Sequence, residues 1–289
     1  MKCYFLSLKA ETPNRDYWDY GLVEDLIAGR LWKPYNFPTI EAVEVSKLPK
    51  DDTAIVVIPA RHHAGLEAEI NAQLRKINKG VLFLLGDEEA DFDVDFIDHP
   101  KLSIWVQNAH PDKHDKYNRI GTGYPPQIRQ LDGTEYTKDI NVFFSGQVTH
   151  KNREAMVDGV LDYENSEIHR TKGFTQGMAH NEYYDKMRRA KVVPCPAGAV
   201  IPDSFRTYEA LEAMAIPVAD DTNSQRTIGG YWDWLFNDIV PFPRINNPDE
   251  WYGKIDEEVK NYTEHVQDIT AWWIAHKRNL VYKVMGQLK

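Results

Sequence analysis

Short apolar runs alternate with amphipathic segments along the first half of the chain. Apolar side chains occupy consecutive positions at residues 3–8, 54–59, 81–85 and 103–106. Such runs are typical of strands that are buried on both faces of a parallel sheet. Between them, residues 14–29 and 64–78 carry apolar side chains at helical spacing, and a glycine closes each segment. The pattern therefore predicts a parallel sheet that is covered by helices.

A second alternation of the same kind follows a polar stretch rich in proline, glycine, aspartate and tyrosine. That stretch, residues 108–138, is typical of a linker. The segments after it predict strands at 141–145, 191–194 and 216–219, and helices at 151–161, 181–190, 204–214, 224–236 and within 248–288. We therefore predict two Rossmann-like doubly wound α/β domains, residues 1–138 and 139–289, which face a cleft. The final helix is expected to pack back across the domain junction.

Composition places the chain among ordinary globular proteins. Of its 289 residues, 42% are apolar and 27% are charged. No apolar run approaches the ~20 residues needed to cross a bilayer, and the first residues predict a strand rather than a signal peptide. The two cysteines, Cys3 and Cys195, lie far apart in sequence, which favours free thiols in a reducing compartment. We expect a cytoplasmic protein without membrane insertion.

The net charge limits the partners that this protein can attract over a distance. With 34 basic and 44 acidic residues the formal charge is −10. A chain this acidic has no global field to draw in nucleic acid or anionic lipid. A local cluster of basic side chains can still bind one small anion.

Residues 190–220 contain the most informative motif. A predicted strand runs into a Pro/Gly loop, then into a helix that begins near Ser204, and then into another strand. A helix N-terminus is an anion-binding site, and Arg206 in the first turn can pair bidentately with phosphate. Glu209 shares a helix face with Arg206. Its carboxylate either accepts hydrogen bonds from ribose hydroxyls or forms an intrahelical ion pair with Arg206.

This motif, P-x-G followed by D-S-x-R-x-Y-E-A-L-E-A-x-x-I-P-V, resembles the nucleotide-sugar-binding segment of GT-B glycosyltransferases, and of the exostosin-like group in particular. The resemblance covers about 30 residues. It implies that the helix in the C-terminal domain holds the diphosphate and ribose of a donor. The matching positions are Gly198, Ser204, Arg206 and Glu209, and we include Pro194 just before the loop among the donor-binding residues.

The same resemblance leaves the stereochemistry open. Retaining GT-B enzymes often carry two glutamates eight residues apart around this helix. Here the position eight residues before Glu209 is Ile201, so the first glutamate is absent.

The segment VFFSGQVTHKNR is similar to the first strand and turn of the same domain. A glycine turn at Gly146 would let the backbone approach a phosphate closely. Lys151 and Arg153 follow and could neutralise the leaving diphosphate. The alternative is a plain strand–helix turn with solvent-exposed basic residues.

Three polar residues at strand ends of the first domain are candidates for a catalytic base. His62 follows the strand at 54–59, and Asp87 and Glu88 follow the strand at 81–85. An inverting transfer needs a base that deprotonates the acceptor hydroxyl. For each residue taken alone, a helix cap or an ordinary surface role is the competing interpretation.

The alternating aspartates Asp91, Asp93 and Asp95 raise the question of a metal. Their oxygens could hold Mn²⁺ or Mg²⁺, as the Asp-x-Asp motif does in GT-A glycosyltransferases. The run precedes the donor motif and lies in a charged stretch, so a solvated loop is the favoured interpretation and no metal site is predicted.

These observations predict a glycosyltransferase (a hexosyl- or pentosyltransferase) that moves a sugar from a nucleotide-diphosphate donor to an acceptor hydroxyl. Basic side chains and a helix N-terminus would stabilise the leaving diphosphate, so neither a metal nor another cofactor is required. A glycan or a small molecule is the favoured acceptor, and a modified DNA base stays open. The alternatives are a metal-dependent transferase that uses the aspartate run, and a non-enzymatic two-domain ligand-binding protein.

Overall fold

The computed structural model forms two compact units, Met1–Pro126 with Ile274–Lys289, and Gln127–Trp273. The residues that the structure describes are 2–8, 20–28, 40–59, 65–86, 93–129, 136–149, 151–173, 176–198, 200–222 and 230–289.

The first unit contains a six-stranded parallel sheet in the order β2-β1-β3-β4-β5-β6. Its strands are β1 (Lys2–Ser7), β2 (Ile40–Glu44), β3 (Asp51–Pro59), β4 (Ile77–Leu85), β5 (Leu102–Val106) and β6 (Asn118–Arg119). The helices between them are α1 (Gly21–Ala28), α2 (Glu67–Leu74) and α3 (Pro111–His114). The last six residues of both β3 and β4 are buried, as consecutive apolar positions predict for central parallel strands.

The second unit contains a five-stranded parallel sheet in the order β8-β7-β9-β10-β11. Its strands are β7 (Ile140–Gln147), β8 (Ser166–Thr171), β9 (Ala190–Cys195), β10 (Ile216–Asp220) and β11 (Arg244–Ile245). The helices are α4 (Lys151–Val160), α5 (His180–Arg189), α6 (Phe205–Glu212), α7 (Tyr231–Phe236), α8 (Trp251–Lys260) and α9 (Tyr262–Gln287).

Both sheets place their first strand between their second and third. From its first strand, each sheet is therefore built outward in one direction and then in the other. With the right-handed crossovers that parallel strands use, this order places helices on both faces of the sheet. This topology confirms the predicted fold class of two Rossmann-like doubly wound α/β domains. In such sheets a ligand binds outside the carboxyl ends of the strands where the winding reverses. In the second unit that position lies at the ends of β7 and β9.

The structure overturns the linker prediction for the segment that follows β5. Residues 108–126 contain α3 and β6, and they bury Ile120 and Tyr124. Polar side chains at the start of this segment form buried hydrogen bonds: Gln107, which directly precedes it, donates to the Thr122 carbonyl at 2.7 Å, and Asn108 donates to the Thr122 hydroxyl at 2.7 Å. Part of the polar composition therefore belongs to a buried hydrogen-bond network, whereas Asp112, Lys113, Asp115 and Lys116 are exposed.

The sequence patterns missed four strands, β2, β6, β8 and β11, and each of them is an edge strand of its sheet. β2 and β8 are half-exposed and carry charged residues at several positions, while β11 has two residues. The helix predicted at 64–78 ends at Leu74, because Ile77 already begins β4. Of the helices predicted at 14–29 and 224–236, the structure describes Gly21–Ala28 and Tyr231–Phe236.

The last helix, α9, contributes residues to both units. Its C-terminal residues belong to the first unit, where Gln287 accepts a 2.8 Å hydrogen bond from the Trp105 indole. Within the described residues, no helix combines the length and apolar character that a membrane crossing requires.

Two glycines give opposite predictions for the effect of one methyl group. A Cβ at Gly80, in the interior of β4, would overlap the backbone oxygen of Ala54 on β3, whereas a Cβ at Gly253 in α8 would meet nothing within 4 Å. We expect Gly80→Ala to lower the free energy of unfolding by about 3 kcal/mol or more. Gly253→Ala should raise it by about 0.5–1 kcal/mol, because glycine is a poor helix former. Urea unfolding of both variants checks this, and equal stabilities would contradict the register of β3 and β4.

Candidate functional site

Strands β7 and β9 stop pairing before they end. Their ladder extends to Val142 opposite Val192, whereas β7 continues to pair with β8 as far as Gln147. The next pair in the same register would be Phe144 opposite Pro194, and a proline has no N–H to donate. The last residues of β7 are therefore available to partners other than β9, at the point where the winding of the sheet reverses.

Arg206 binds one of these last residues of β7. It lies in the first turn of α6, and its Nη2 donates to the Ser145 carbonyl of β7 at 2.9 Å. The guanidinium lies over the ring of Phe144, 4.7 Å from the centroid. Arg206 is 5% exposed, and its buried Nε has no hydrogen-bond partner among the described residues. The charged group is thus held in place by one carbonyl and one aromatic ring.

Arg153, from the first turn of α4, spans the ends of the two strands. Its Nη1 donates to the Gln147 carbonyl at 3.2 Å, and its Nε and Nη2 donate to the Ala197 carbonyl at 3.3 and 2.9 Å. Burial and the nearby positive charge of Arg206 lower the pKa of Arg153 to about 10, while Asp220 acts in the opposite direction. The two guanidinium groups therefore lie close enough to repel each other.

Neither arginine has a carboxylate partner among the described residues. Within the described part of the chain, no Asp or Glu oxygen lies within 4.0 Å of the nitrogens of Arg153 or Arg206, and their hydrogen bonds go to backbone carbonyls. Burying charge without a counter-ion costs free energy. An anion with several oxygens would offset this cost through charge-assisted, bidentate hydrogen bonds.

Gly146 makes room for Arg206. The turn predicted at this glycine is wrong, since β7 extends to Gln147 and Gly146 is paired with Arg170 of β8. A Cβ at Gly146 would lie 2.6 Å from Nη2 of Arg206 and 3.3 Å from the ring of Phe144. The close approach that requires glycine here is that of the guanidinium to the strand.

The loop between β9 and α6 is tightly folded. A Cβ at Gly198 would lie 2.9 Å from the Ile201 carbonyl oxygen and 3.0 Å from that of Asp203. Ser204 is the N-cap residue of α6, but its hydroxyl makes no capping hydrogen bond. Asp203 instead accepts a 2.6 Å hydrogen bond from the buried Tyr208 hydroxyl. This bond ties the start of α6 to its second turn.

Glu209 is buried, and no arginine among the described residues pairs with it. Its Oε2 accepts a 2.8 Å hydrogen bond from Tyr183 of α5, and no ion pair with Arg206 forms within 4.0 Å. Burial raises the pKa of Glu209 from 4.5 to about 7, although the Tyr183 hydrogen bond and the charge of Arg206 act against that rise. The intrahelical ion pair that was the alternative interpretation is absent between these two described residues.

The remaining predicted site residues lie elsewhere or outside the described part. Lys151 is the exposed first residue of α4, and the structure gives it no contact with the two arginines. Pro194 is buried in β9, as the predicted strand at 191–194 has it, and it is paired with Val218. The candidate bases His62, Asp87 and Glu88 lie outside the described residues.

The described part of the aspartate run serves local structure. Asp93 accepts a 2.8 Å hydrogen bond from the backbone N–H of Asp95. Asp95 forms a 2.8 Å ion pair with Lys116 and accepts a 2.6 Å hydrogen bond from Tyr117. Asp91 lies outside the described residues, among which no three His, Cys, Asp or Glu side chains form a group that could hold a metal ion.

The sequence interpretation missed Phe144 and Tyr183 as site residues. Phe144 resembles any apolar residue of a buried strand, and Tyr183 lies 26 residues before Glu209 on another helix. No local pattern marks either residue, because both reach the site only through the packing of separate elements.

Comparison with known proteins gives structural relatives alone. The sequence matches no protein-family model and no curated protein. AviGT4, a glycosyltransferase involved in avilamycin A biosynthesis, is similar over 98% of each chain, with 14% identity and a TM-score of 0.44. An α1,3-fucosyltransferase is similar over 97% of this chain and 90% of its own, with 12% identity and a TM-score of 0.47. An α-glucosyltransferase in complex with UDP and a 13-mer DNA containing a central A:G mismatch is similar over 99% of this chain and 95% of its own, with 11% identity and a TM-score of 0.45.

The packing of Arg206 against β7 predicts the effect of a methyl group at Gly146. Gly146→Ala should push the guanidinium away from the Ser145 carbonyl and lower the free energy of unfolding by about 1–3 kcal/mol. Gly159→Ala in α4 is the matched control, because its Cβ would meet only ordinary contacts at 3.7 Å or more. Thermal unfolding compares the two variants, and a neutral Gly146→Ala would contradict the placement of Arg206.

The raised pKa of Glu209 predicts a pH-dependent stability. The folded protein binds this proton more tightly than the unfolded chain, so the stability that comes with protonation is lost as the pH rises through about 7. Glu209→Gln removes the titration and keeps an acceptor for Tyr183. Its stability relative to the parent protein should increase by roughly 2–3 kcal/mol between pH 5 and pH 8. Urea unfolding at both pH values measures this, with the exposed Glu154→Gln as control, and a pH-independent difference would rule the prediction out.

Proposed function

We propose that this protein is a glycosyltransferase of the GT-B type that transfers a sugar from a nucleotide-diphosphate donor to an acceptor hydroxyl. The donor diphosphate would bind in the second unit, at the carboxyl ends of β7 and β9. The observation that carries this proposal is a buried arginine, Arg206, together with a half-buried one, Arg153, whose described partners are carbonyls and not carboxylates.

The two arginines differ in the N–H groups that they leave for a ligand. A guanidinium has five N–H donors. Arg206 uses one of them on Ser145, whereas Arg153 engages all three of its nitrogens with two carbonyls. Arg206 would therefore be the principal phosphate ligand, and Arg153 would add charge while it holds the strand ends together.

The chemistry follows from charge development on the leaving group. Transfer breaks the bond between the anomeric carbon and the diphosphate oxygen, and the bond electrons stay with the diphosphate. A new bond forms between the anomeric carbon and the acceptor oxygen, whose proton passes to a base. Fixed guanidinium groups stabilise the negative charge as it appears. Since they supply this positive charge, the proposed reaction needs no metal.

Glu209 would bind the ribose of the donor. Its carboxylate lies three residues after Arg206 on α6, and the Tyr183 hydroxyl fixes one of its oxygens. A carboxylate held in this way can accept hydrogen bonds from ribose hydroxyls. The motif resemblance to the exostosin-like group supports the same assignment, with Gly198 and Ser204 at the preceding loop.

The rest of the proposal concerns the substrates and the base. The transferred sugar is a hexose or a pentose, and the candidate bases are His62, Asp87 and Glu88. A glycan or a small molecule is the preferred acceptor, because a net charge of −10 opposes the capture of a polyanion such as DNA. An acceptor screen that includes duplex DNA with hydroxymethylated bases separates these classes.

A thermal-shift screen with UDP, GDP, ADP and CMP, followed by hydrolysis assays with the matching nucleotide sugars, tests the function. One nucleoside diphosphate should stabilise the protein, by about 2.7 kcal/mol at a hundredfold excess over its Kd. The matching nucleotide sugar should be hydrolysed slowly without an acceptor. Binding without hydrolysis or transfer would indicate a non-enzymatic ligand-binding protein, and the absence of both would overturn the proposal.

Substitution of the arginines predicts two different losses. Arg206→Lys keeps the charge but removes the planar fork, so the affinity for the nucleoside diphosphate should fall at least tenfold, which is about 1.4 kcal/mol. Arg153→Lys should also lower the melting temperature, because it removes hydrogen bonds that join the ends of β7 and β9.

Arg170→Lys serves as the matched control for these arginines. Arg170 is a surface residue of β8 whose ion pair with Asp158 measures 2.9 Å, and its replacement should leave both the affinity and the melting temperature unchanged. Calorimetric titration gives the affinities. Full nucleotide affinity in Arg206→Lys would contradict the donor site proposed here.

A further inference from the structure

A buried carboxylate at the end of β10 contacts the loop that Arg153 holds. Asp220 is 1% exposed, and its Oδ2 accepts a 3.4 Å hydrogen bond from the backbone N–H of Ala197. The carbonyl of the same residue, Ala197, accepts the hydrogen bonds of Arg153. A carboxylate and a guanidinium therefore hold the two polar groups of one loop residue.

The other oxygen of Asp220 is fixed from the opposite side. Its Oδ1 accepts hydrogen bonds from the Thr222 backbone N–H at 2.9 Å and from the Thr222 hydroxyl at 2.6 Å. The same hydroxyl accepts a 2.8 Å hydrogen bond from Asn152, the neighbour of Arg153 in α4. The network thus connects the end of β10, the loop after β9 and the first turn of α4.

Asp220 also acts on Arg153 through its charge. Its carboxylate opposes the lowering of the Arg153 pKa that burial and Arg206 cause. Burial raises the pKa of Asp220 itself. A buried carboxylate is costly unless its geometry is well satisfied, and here its hydrogen bonds converge on the loop and the helix turn that place one arginine.

We propose that Asp220 is a positioning residue for the diphosphate site, which acts through Ala197 and Arg153. Asp220 would fix the Ala197 peptide, and the Ala197 carbonyl would then orient the guanidinium of Arg153 toward the phosphates. This inference rests on the proposed function, because it assigns Asp220 to the same donor site.

Electrostatics alone predicts the opposite result from positioning. Removal of a negative charge near an anion site strengthens anion binding by reducing repulsion. If Asp220 instead orients Arg153, its neutralisation weakens binding even though the site becomes more positive. The sign of the change in affinity therefore separates the two roles.

The experiment is a double-mutant cycle of Asp220→Asn and Arg153→Lys in the full-length chain. Inorganic pyrophosphate is the probe, because it tests the diphosphate site whatever base the donor carries, and calorimetry gives Kd. Asp220→Asn should weaken pyrophosphate binding about 5- to 20-fold in the parent protein. In the Arg153→Lys background the same change should have less than a twofold effect, since coupled residues are non-additive.

Two further variants keep the test decisive. Thr222→Val keeps the carboxylate but removes one of its hydrogen-bond donors, and it should weaken pyrophosphate binding about 2- to 5-fold, even if Asp220→Asn fails to fold. Asp221→Asn is the matched control. The neighbouring Asp221 is also buried, and it accepts a 2.7 Å hydrogen bond from the Gly230 N–H at the start of α7. Its replacement should lower the melting temperature without changing Kd.

The outcomes distinguish this inference from the function on which it rests. Unchanged or tighter binding in Asp220→Asn, or equal effects of this change in both backgrounds, would overturn the positioning role while the donor site stands. A parent protein that binds no pyrophosphate would overturn both. Weaker binding that disappears in the Arg153→Lys background supports the assignment.

Discussion

The approach of a guanidinium to the end of a β-strand is the interaction on which the rest of the site depends. Arg206 can reach the Ser145 carbonyl only because Gly146 has no side chain and because β9 no longer pairs with this part of β7. Strand separation, the glycine and the start of α6 therefore form one structural unit. Loss of any one of the three would prevent Arg206 from binding the end of β7.

The charge distribution of the protein is compatible with the anion binding that we propose for an acidic chain. The net charge of −10 is spread over the whole sequence, whereas two positive groups are concentrated at the ends of β7 and β9. Long-range attraction scales with the overall field, but binding depends on local charge in a partly desolvated site. The molecule is thus suited to a small anionic ligand rather than to an extended polyanion.

Two buried carboxylates flank the arginines without neutralising them. Glu209 is fixed by Tyr183, and Asp220 is fixed by Thr222 and by the Ala197 backbone. Neutral donors bind one oxygen of Glu209 and both oxygens of Asp220, and neither carboxylate forms an ion pair with the two guanidinium groups. Keeping opposite charges apart in this way lowers the stability of the fold. Such a loss of stability is common at binding sites for charged ligands.

The sequence by itself determined the α/β class, the two series of elements and the helix that carries Arg206 and Glu209, because these follow from local apolar periodicity and from a motif of about 30 residues. It did not determine the partners of those residues. Those partners depend on the packing of elements that lie far apart in the chain. Gly146 accommodates a guanidinium, Glu209 binds Tyr183 and not Arg206, and Asp220 contacts Ala197. The same limit explains the linker wrongly predicted at 108–126, where Asn108 and Thr122 are buried and hydrogen-bonded to each other through a contact that no local pattern encodes.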